Sequence, residues 1–227
     1  MSTARLSVII PALDDAEHLA ATLDSVAALR RSGHEVIVVD GGSRDATRAV
    51  ARAGADRVLA SPCGRARQMN AGAAAASGDA LVFLHADTLL PEHAADTVLD
   101  ALERRCWGRF DVRLDARAPV FRIIESLMNL RSRMTGIATG DQCIFVERTA
   151  FRAVGGYPEI PLMEDVDLSR RLNTLGPPAC VSARVVTSAR RWRRHGILRT
   201  VFLMWRLRMQ YALGADPRRL ASFYERG

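Results

Sequence analysis

The sequence predicts an α/β fold: a mostly parallel sheet flanked by helices, closing with a C-terminal amphipathic helical segment. Two observations carry this. Short apolar, β-branched runs recur at LSVII (6–10), EVIVVD (35–40) and ALVFLHAD (80–87), as in strands buried on both faces. Helical periodicity fills the gaps between them, which implies right-handed βαβ units and a parallel sheet. A length of 227 residues, with no internal repeat or flexible linker, suits one domain.

Taken in order, the first strand covers 6–10 and is expected to end at Pro11. A helix follows over 17–30, with Leu19, Leu23, Val26 and Leu29 on one face. The strand 35–40 ends in Asp40 and a Gly-Gly-Ser turn, and Asp45 is placed to cap a helix over 46–53. A short strand at 57–60 and a helix near 66–76 lead to the strand 80–87. Pro91 suits the first turn of a helix over 91–105. Beyond it the chain reads as strand 107–114, amphipathic helix 118–134, strand and helix start within 140–151, and a turn at 155–158. A helix over 164–175, a strand near 180–187 and a last helix over 197–213 follow.

Composition narrows the function. Net charge is +7 and every one of the 32 cationic residues is arginine, since lysine is absent. That pattern reads as compositional bias more than selection for nucleic acid, and no nucleic-acid partner is expected. Without lysine a GxxxxGK[ST] phosphate loop is impossible, and no GxGxxG turn follows the first strand. The four cysteines are spread without CxxC spacing, so neither a zinc site nor a disulfide framework is implied. The apolar start is too short and too acidic for a signal peptide, and no run reaches membrane-spanning length. A cytoplasmic location is therefore expected, with contact at the inner membrane face left open.

In an open parallel sheet, ligands bind beyond the carboxyl ends of the strands. Three strand ends here carry Pro11 to Asp15, Asp40 and Asp87, so these residues are expected on one rim. Carboxylates facing a phosphorylated ligand repel it unless a divalent cation lies between. Asp87 is the expected metal ligand, with Arg65 and Arg67 supplying positive charge. Apolar, arginine-bearing helices at 118–134 and 197–213 suit either packing on the domain or an anionic membrane surface.

The ordered segments VIIPALDD (8–15), VVDGGSRDAT (38–47), GRARQMNAGAAAASGDALVFLHADT (64–88) and IPLMEDVDLSRRL (160–172) resemble the family-2 glycosyltransferases of the GT-A (Rossmann-like) fold. The variant is most similar to a small bacterial subgroup found beside arsenosugar or radical-enzyme genes. The resemblance implies a metal-dependent inverting transfer from a UDP- or GDP-sugar to an acceptor hydroxyl, small-molecule or lipid-linked. Pro11, Asp14 and Asp40 would hold the nucleoside. Asp87 would carry Mg²⁺ or Mn²⁺, with His85 standing where the family's first acidic residue lies. Asp165, beside Glu164, would be the catalytic base. Asp141, Gln142 and Trp192 would face the acceptor, and Arg191 the diphosphate. Residues 1–105 would then form the nucleotide-sugar half, 106–196 the acceptor half and 197–227 a basic amphipathic helix. Nucleotidyl transfer and a non-catalytic membrane-surface or nucleic-acid-binding module are the rival readings.

Overall fold

A computed structural model describes residues 4–226. Its centre is an eight-stranded sheet in the order β3-β2-β1-β4-β7-β6-β8-β5. The strands are β1 (Leu6–Ala12), β2 (Glu35–Asp40), β3 (Arg57–Ala60), β4 (Ala80–Phe83), β5 (Thr88–Leu89), β6 (Trp107–Asp115), β7 (Ile144–Glu147) and β8 (Ala179–Ser188). The first four pair in parallel, and β6 and β8 do so again, while β7 and β5 run antiparallel to their neighbours. The helices are α1 (Ala16–Arg31), α2 (Thr47–Gly54), α3 (Arg65–Ala75), α4 (Ala94–Leu102), α5 (Pro119–Thr135), α6 (Arg148–Ala153), α7 (Glu164–Asn173), α8 (Arg190–His195), α9 (Ile197–Ala212) and α10 (Pro217–Arg226).

The apolar strand runs do what their composition dictates. β1, β2 and β4 are buried throughout, and separate apolar clusters cover the sheet's two faces. Several expectations shift. Pro11 does not end β1, which runs on to Ala12 and pairs Pro11 with Val39. By strand alternation its donor-less nitrogen faces β4, where pairing has already stopped at Ile9 and Phe83, so no ladder bond is lost. β4 itself ends at Phe83, four residues early, which releases His85 and Asp87 onto the rim. Pro91 lies outside α4, which begins at Ala94 after the left-handed His93. Asp45 sits just before α2 and accepts the Thr47 N–H. The helix α8 was not foreseen, and the expected C-terminal helical segment divides into α9 and α10.

β6 pairs with β7 only over Trp107–Arg109. Beyond that point helix side chains replace the missing strand. Asn129 bonds both the N–H and C=O of Val112, and Glu125 accepts the Leu114 N–H. α5 therefore turns polar groups inward along β6. α9 packs Leu203, Leu207 and Tyr211 against Leu162 and Met163 on the approach to α7 and Val166 within it.

Candidate active site

The carboxyl ends of β1, β2 and β4 meet as expected. Asp40 is buried and accepts the N–H groups of Gly42 and Ser43 as well as Arg48 Nε at 2.6 Å. Burial alone would raise its pKa, but these bonds outweigh it and hold the carboxyl below its ordinary range. Asp40 thus shapes the Gly-Gly-Ser turn. Asp14, in a left-handed conformation, accepts the Arg44 N–H at 2.7 Å and ties β1's exit to the same turn. Gln68 of α3 donates to both Ala12 O and Val39 O, so one buried amide stitches the two strand ends. Sequence reasoning passed over it, because a helical glutamine carries no signal of what it faces.

Next to this turn opens a cavity of about 810 Å³. Its polar end holds Arg65, His85, Asp87, Asp141, Thr187, Ser188, Arg190 and Arg191, and α5, α9 and Tyr224 of α10 complete its walls. β8 positions α8 here: Ser188 N–H bonds Asp87 O, and the hydroxyls of Thr88 and Thr187 meet at 2.9 Å. Arg190 then spans Asp15 at 3.4 Å and Asp87 at 3.7 Å. Arg191 instead stacks on the Tyr224 ring, 3.5 Å from its centroid, and donates to Tyr224 O. Arg190, not Arg191, is therefore the arginine beside the strand-end carboxylates.

His85 Nδ1 lies 3.6 Å from Asp141 Oδ1. Burial would lower the His85 pKa, but Asp141 outweighs it and the net shift is upward. Asp141 moves the other way: His85 holds it low against the opposing effect of burial. The Asp87 carboxyl is raised by burial and then by the charges of Asp141 and Asp15. The three side chains sit in one field.

Glu164 is buried and pairs with Arg65 Nε at 2.9 Å, while its second oxygen has no hydrogen-bond partner among the described residues. Burial raises its pKa, with Arg65 opposing. Asp165 Oδ2 accepts the Gly140 N–H at 2.9 Å. Asp165 does not line the cavity but reaches its edge through Gly140, between the lining residues Thr139 and Asp141. Left-handed Met163 and Cys143 set the two turns that bring these segments together. Backbone strain of this kind collects at functional sites.

Other expected residues fall elsewhere. Arg67 is exposed and pairs with Glu159. Gln142 is fully buried, closing a turn through Thr139 and reaching Asn129, and does not line the cavity. Trp192 does line it. Pro11, Asp14 and Asp40 lie at the neighbouring turn, outside the cavity wall.

Among the described residues no three His, Cys, Asp or Glu side chains form a ready-made metal cage. Asp87, crowded by two carboxylates that push its pKa up, fits a different arrangement. One or two protein oxygens would hold a hard cation whose remaining ligands come from phosphate and water.

An α/β sheet with a carboxylate-rich rim and an adjoining cavity places a ligand site beyond the carboxyl ends of its strands. The chain belongs to glycosyl transferase family 2, whose profile matches residues 7–151, more than half its length. No curated protein sequence matches it. Among solved structures it is similar to the mannosyltransferase PcManGT of Pyrobaculum calidifontis in complex with GDP-Man and Mn²⁺, with a TM-score of 0.68 at 20% identity over 92% of this chain and 61% of that one. The glucosyl-3-phosphoglycerate synthase of Mycobacterium tuberculosis, with Mn²⁺, UDP and phosphoglyceric acid, gives 0.64 at 19% over 95% and 80%. The first 349 residues of S. aureus TarS give 0.65 at 16% over 82% of this chain. The chain spans 60% of that TarS fragment and 36% of the longer TarS chain. At these identities the likeness establishes the GT-A fold.

Proposed function

We propose that the protein transfers a sugar from a UDP- or GDP-sugar to a hydroxyl of a small-molecule or lipid-linked acceptor, with inversion at the sugar. One observation carries the reading: in a chain of this family, Asp87, His85, Asp141, Arg65 and Arg190 converge on a cavity edged by Glu164–Asp165. The solved structures with GDP-Man or UDP and Mn²⁺ support the donor class. Asp14 and Asp40 set the turn against which the nucleoside would rest, and Asp87 would hold Mg²⁺ or Mn²⁺. Bound there, the cation would neutralise the diphosphate leaving group. Arg190 would turn from Asp87 and Asp15 toward that diphosphate, since arginine suits phosphate oxygens.

Asp165 is the base in this reading, held by the Gly140 N–H so that one oxygen has a fixed direction. Arg65 pairs with the neighbouring Glu164, so the second carboxylate of the motif already has a cationic partner. A second assignment rests on a specific observation: Asp141 lines the cavity and Asp165 does not. Asp165→Asn and Asp141→Asn, assayed for UDP or GDP release with acceptor and Mn²⁺, separate the two. Loss of the general base lowers turnover about 10²–10⁴-fold. The larger loss, with donor binding retained, identifies the base. Full turnover in both, and in Asp87→Asn, would overturn the reading.

A further inference from the structure

The helices α5 and α9 present apolar surface on the side that the fold does not use. Outward along α9 run Leu198, Phe202, Trp205 and Met209, continued by Leu213, each 61–80% exposed. Their spacing of three and four residues places them on one stripe. Across the cavity mouth α5 shows Ile123, Leu127, Leu130 and Met134, each 52–77% exposed. Two aligned stripes differ from the scattered apolar residues of an ordinary surface. The flanking charge has one sign: between Ala189 and Tyr224 there are nine arginines and a single acidic residue, Asp216.

The cavity between the helices repeats this polarity. Arg131 lines it with Nε and Nη2 buried and without a hydrogen-bond partner among the described residues. Its pKa is pushed down to about 10, by burial and then by the like charge of Arg208, which also lines the cavity. Asp165 opposes this through its charge but makes no hydrogen bond to Arg131, so two adjacent cations with unfilled donors make a seat for an anion. Beyond them the walls are Leu127, Leu130 and Met134 on one side and Met204 and Trp205 on the other.

Resting on the transfer reading above, we propose that the acceptor is an anionic lipid with a hydroxylated head. Its phosphodiester sits on Arg131 and Arg208, and its chains pass between α5 and α9 into an anionic bilayer on which the two stripes lie. The order of the site fits such a molecule: carboxylates for the hydroxyl, arginines for the phosphodiester, an apolar cleft for the chains.

The test uses the full chain in three arms. Co-sedimentation with phosphatidylcholine vesicles, with and without phosphatidylglycerol, should show about ten-fold tighter partition onto the anionic vesicles, because each arginine near such a surface adds about 1 kcal/mol. Phe202→Glu with Met209→Glu, both outside the cavity wall, should abolish that partition. Calorimetry with short-chain phosphatidylglycerol, below its micelle concentration, should show binding that Arg131→Gln with Arg208→Gln weakens about ten-fold. Equal binding of glycerol phosphate would overturn the proposal by making the ligand a free phosphorylated molecule. Undiminished partition of the double glutamate variant, or a dimer in sedimentation that the same variant dissolves, would overturn it too. Donor binding is read separately by thermal shift with UDP, GDP and Mn²⁺. Lipid failure with donor binding intact sinks this inference alone, and donor failure sinks the transfer reading.

Discussion

Gly140 shows how a single residue positions the site. Its N–H holds Asp165, and a Cβ at that position would overlap the His85 ring. Gly140→Ala must therefore move either the ring or the turn. Misplacement of reacting groups by about 1 Å costs roughly 10²-fold, so transfer should fall by that order while the melting temperature shifts little. An unchanged rate would show that His85 and Gly140 need no fixed spacing. At this scale the sequence was informative where residue type and strand-end position coincide. Asp87 stood out by its place after a buried strand, whereas His85 and Glu164–Asp165 came from the family resemblance, because an acid at a helix start is by itself an ordinary structural feature. Arg131, Arg208 and Tyr224 were not legible, since their helices could be read but not the directions their side chains take once packed.

Elements were legible to the extent that their periodicity was their own. The strands 35–40 and 57–60 match β2 and β3, because a buried run bounded by turn residues defines itself. β4 ended early because the ALVFLHAD pattern says nothing of where β7 and β1 stop pairing with it. α5 is the instructive case. Its amphipathic pattern was visible, yet which face turns inward depends on the exposed edge of β6, where Asn129 and Glu125 complete the ladder. The same interface contains fully buried Arg109, paired to Asp111, whose other oxygen accepts Arg133 Nη2 at 2.6 Å. Asp111→Ala would leave the Arg109 charge buried without its partner. Breaking a buried pair on one side costs about 3–5 kcal/mol. Urea unfolding should show a loss of that size, and a loss below ~1 kcal/mol would mean that the pair is solvated.

Across the whole molecule, the chemistry collects at one end of the sheet and a stability network at the other. There Glu35 accepts Ser7 Oγ at 2.5 Å, Ser77 N–H at 2.8 Å and Ser77 Oγ at 2.9 Å, joining β1, β2 and the entry to β4. Burial alone would raise its pKa, but these bonds outweigh it and hold the carboxyl low. Nearby, His34 Nδ1 accepts the Leu6 N–H at 3.2 Å, and burial lowers the imidazole pKa below 6.5. The signs agree. A carboxyl with a depressed folded pKa stabilises above its unfolded pKa, and that stability is lost as pH falls through the folded value. An imidazole with a depressed folded pKa binds its proton more readily unfolded, so stability also falls as pH drops below 6.5. Acid should therefore lower stability in two stages, the first containing a contribution from His34 that the upward-shifted His85 opposes, and the second one from Glu35 together with Asp40 and Asp141. His34→Gln keeps an acceptor within range of Leu6 and cannot titrate. Compared with wild type in urea midpoints between neutral pH and the carboxylate range, it should flatten the first stage and leave the second unchanged. Identical pH profiles would show that the Leu6 contact survives protonation and that His34 contributes nothing to acid lability.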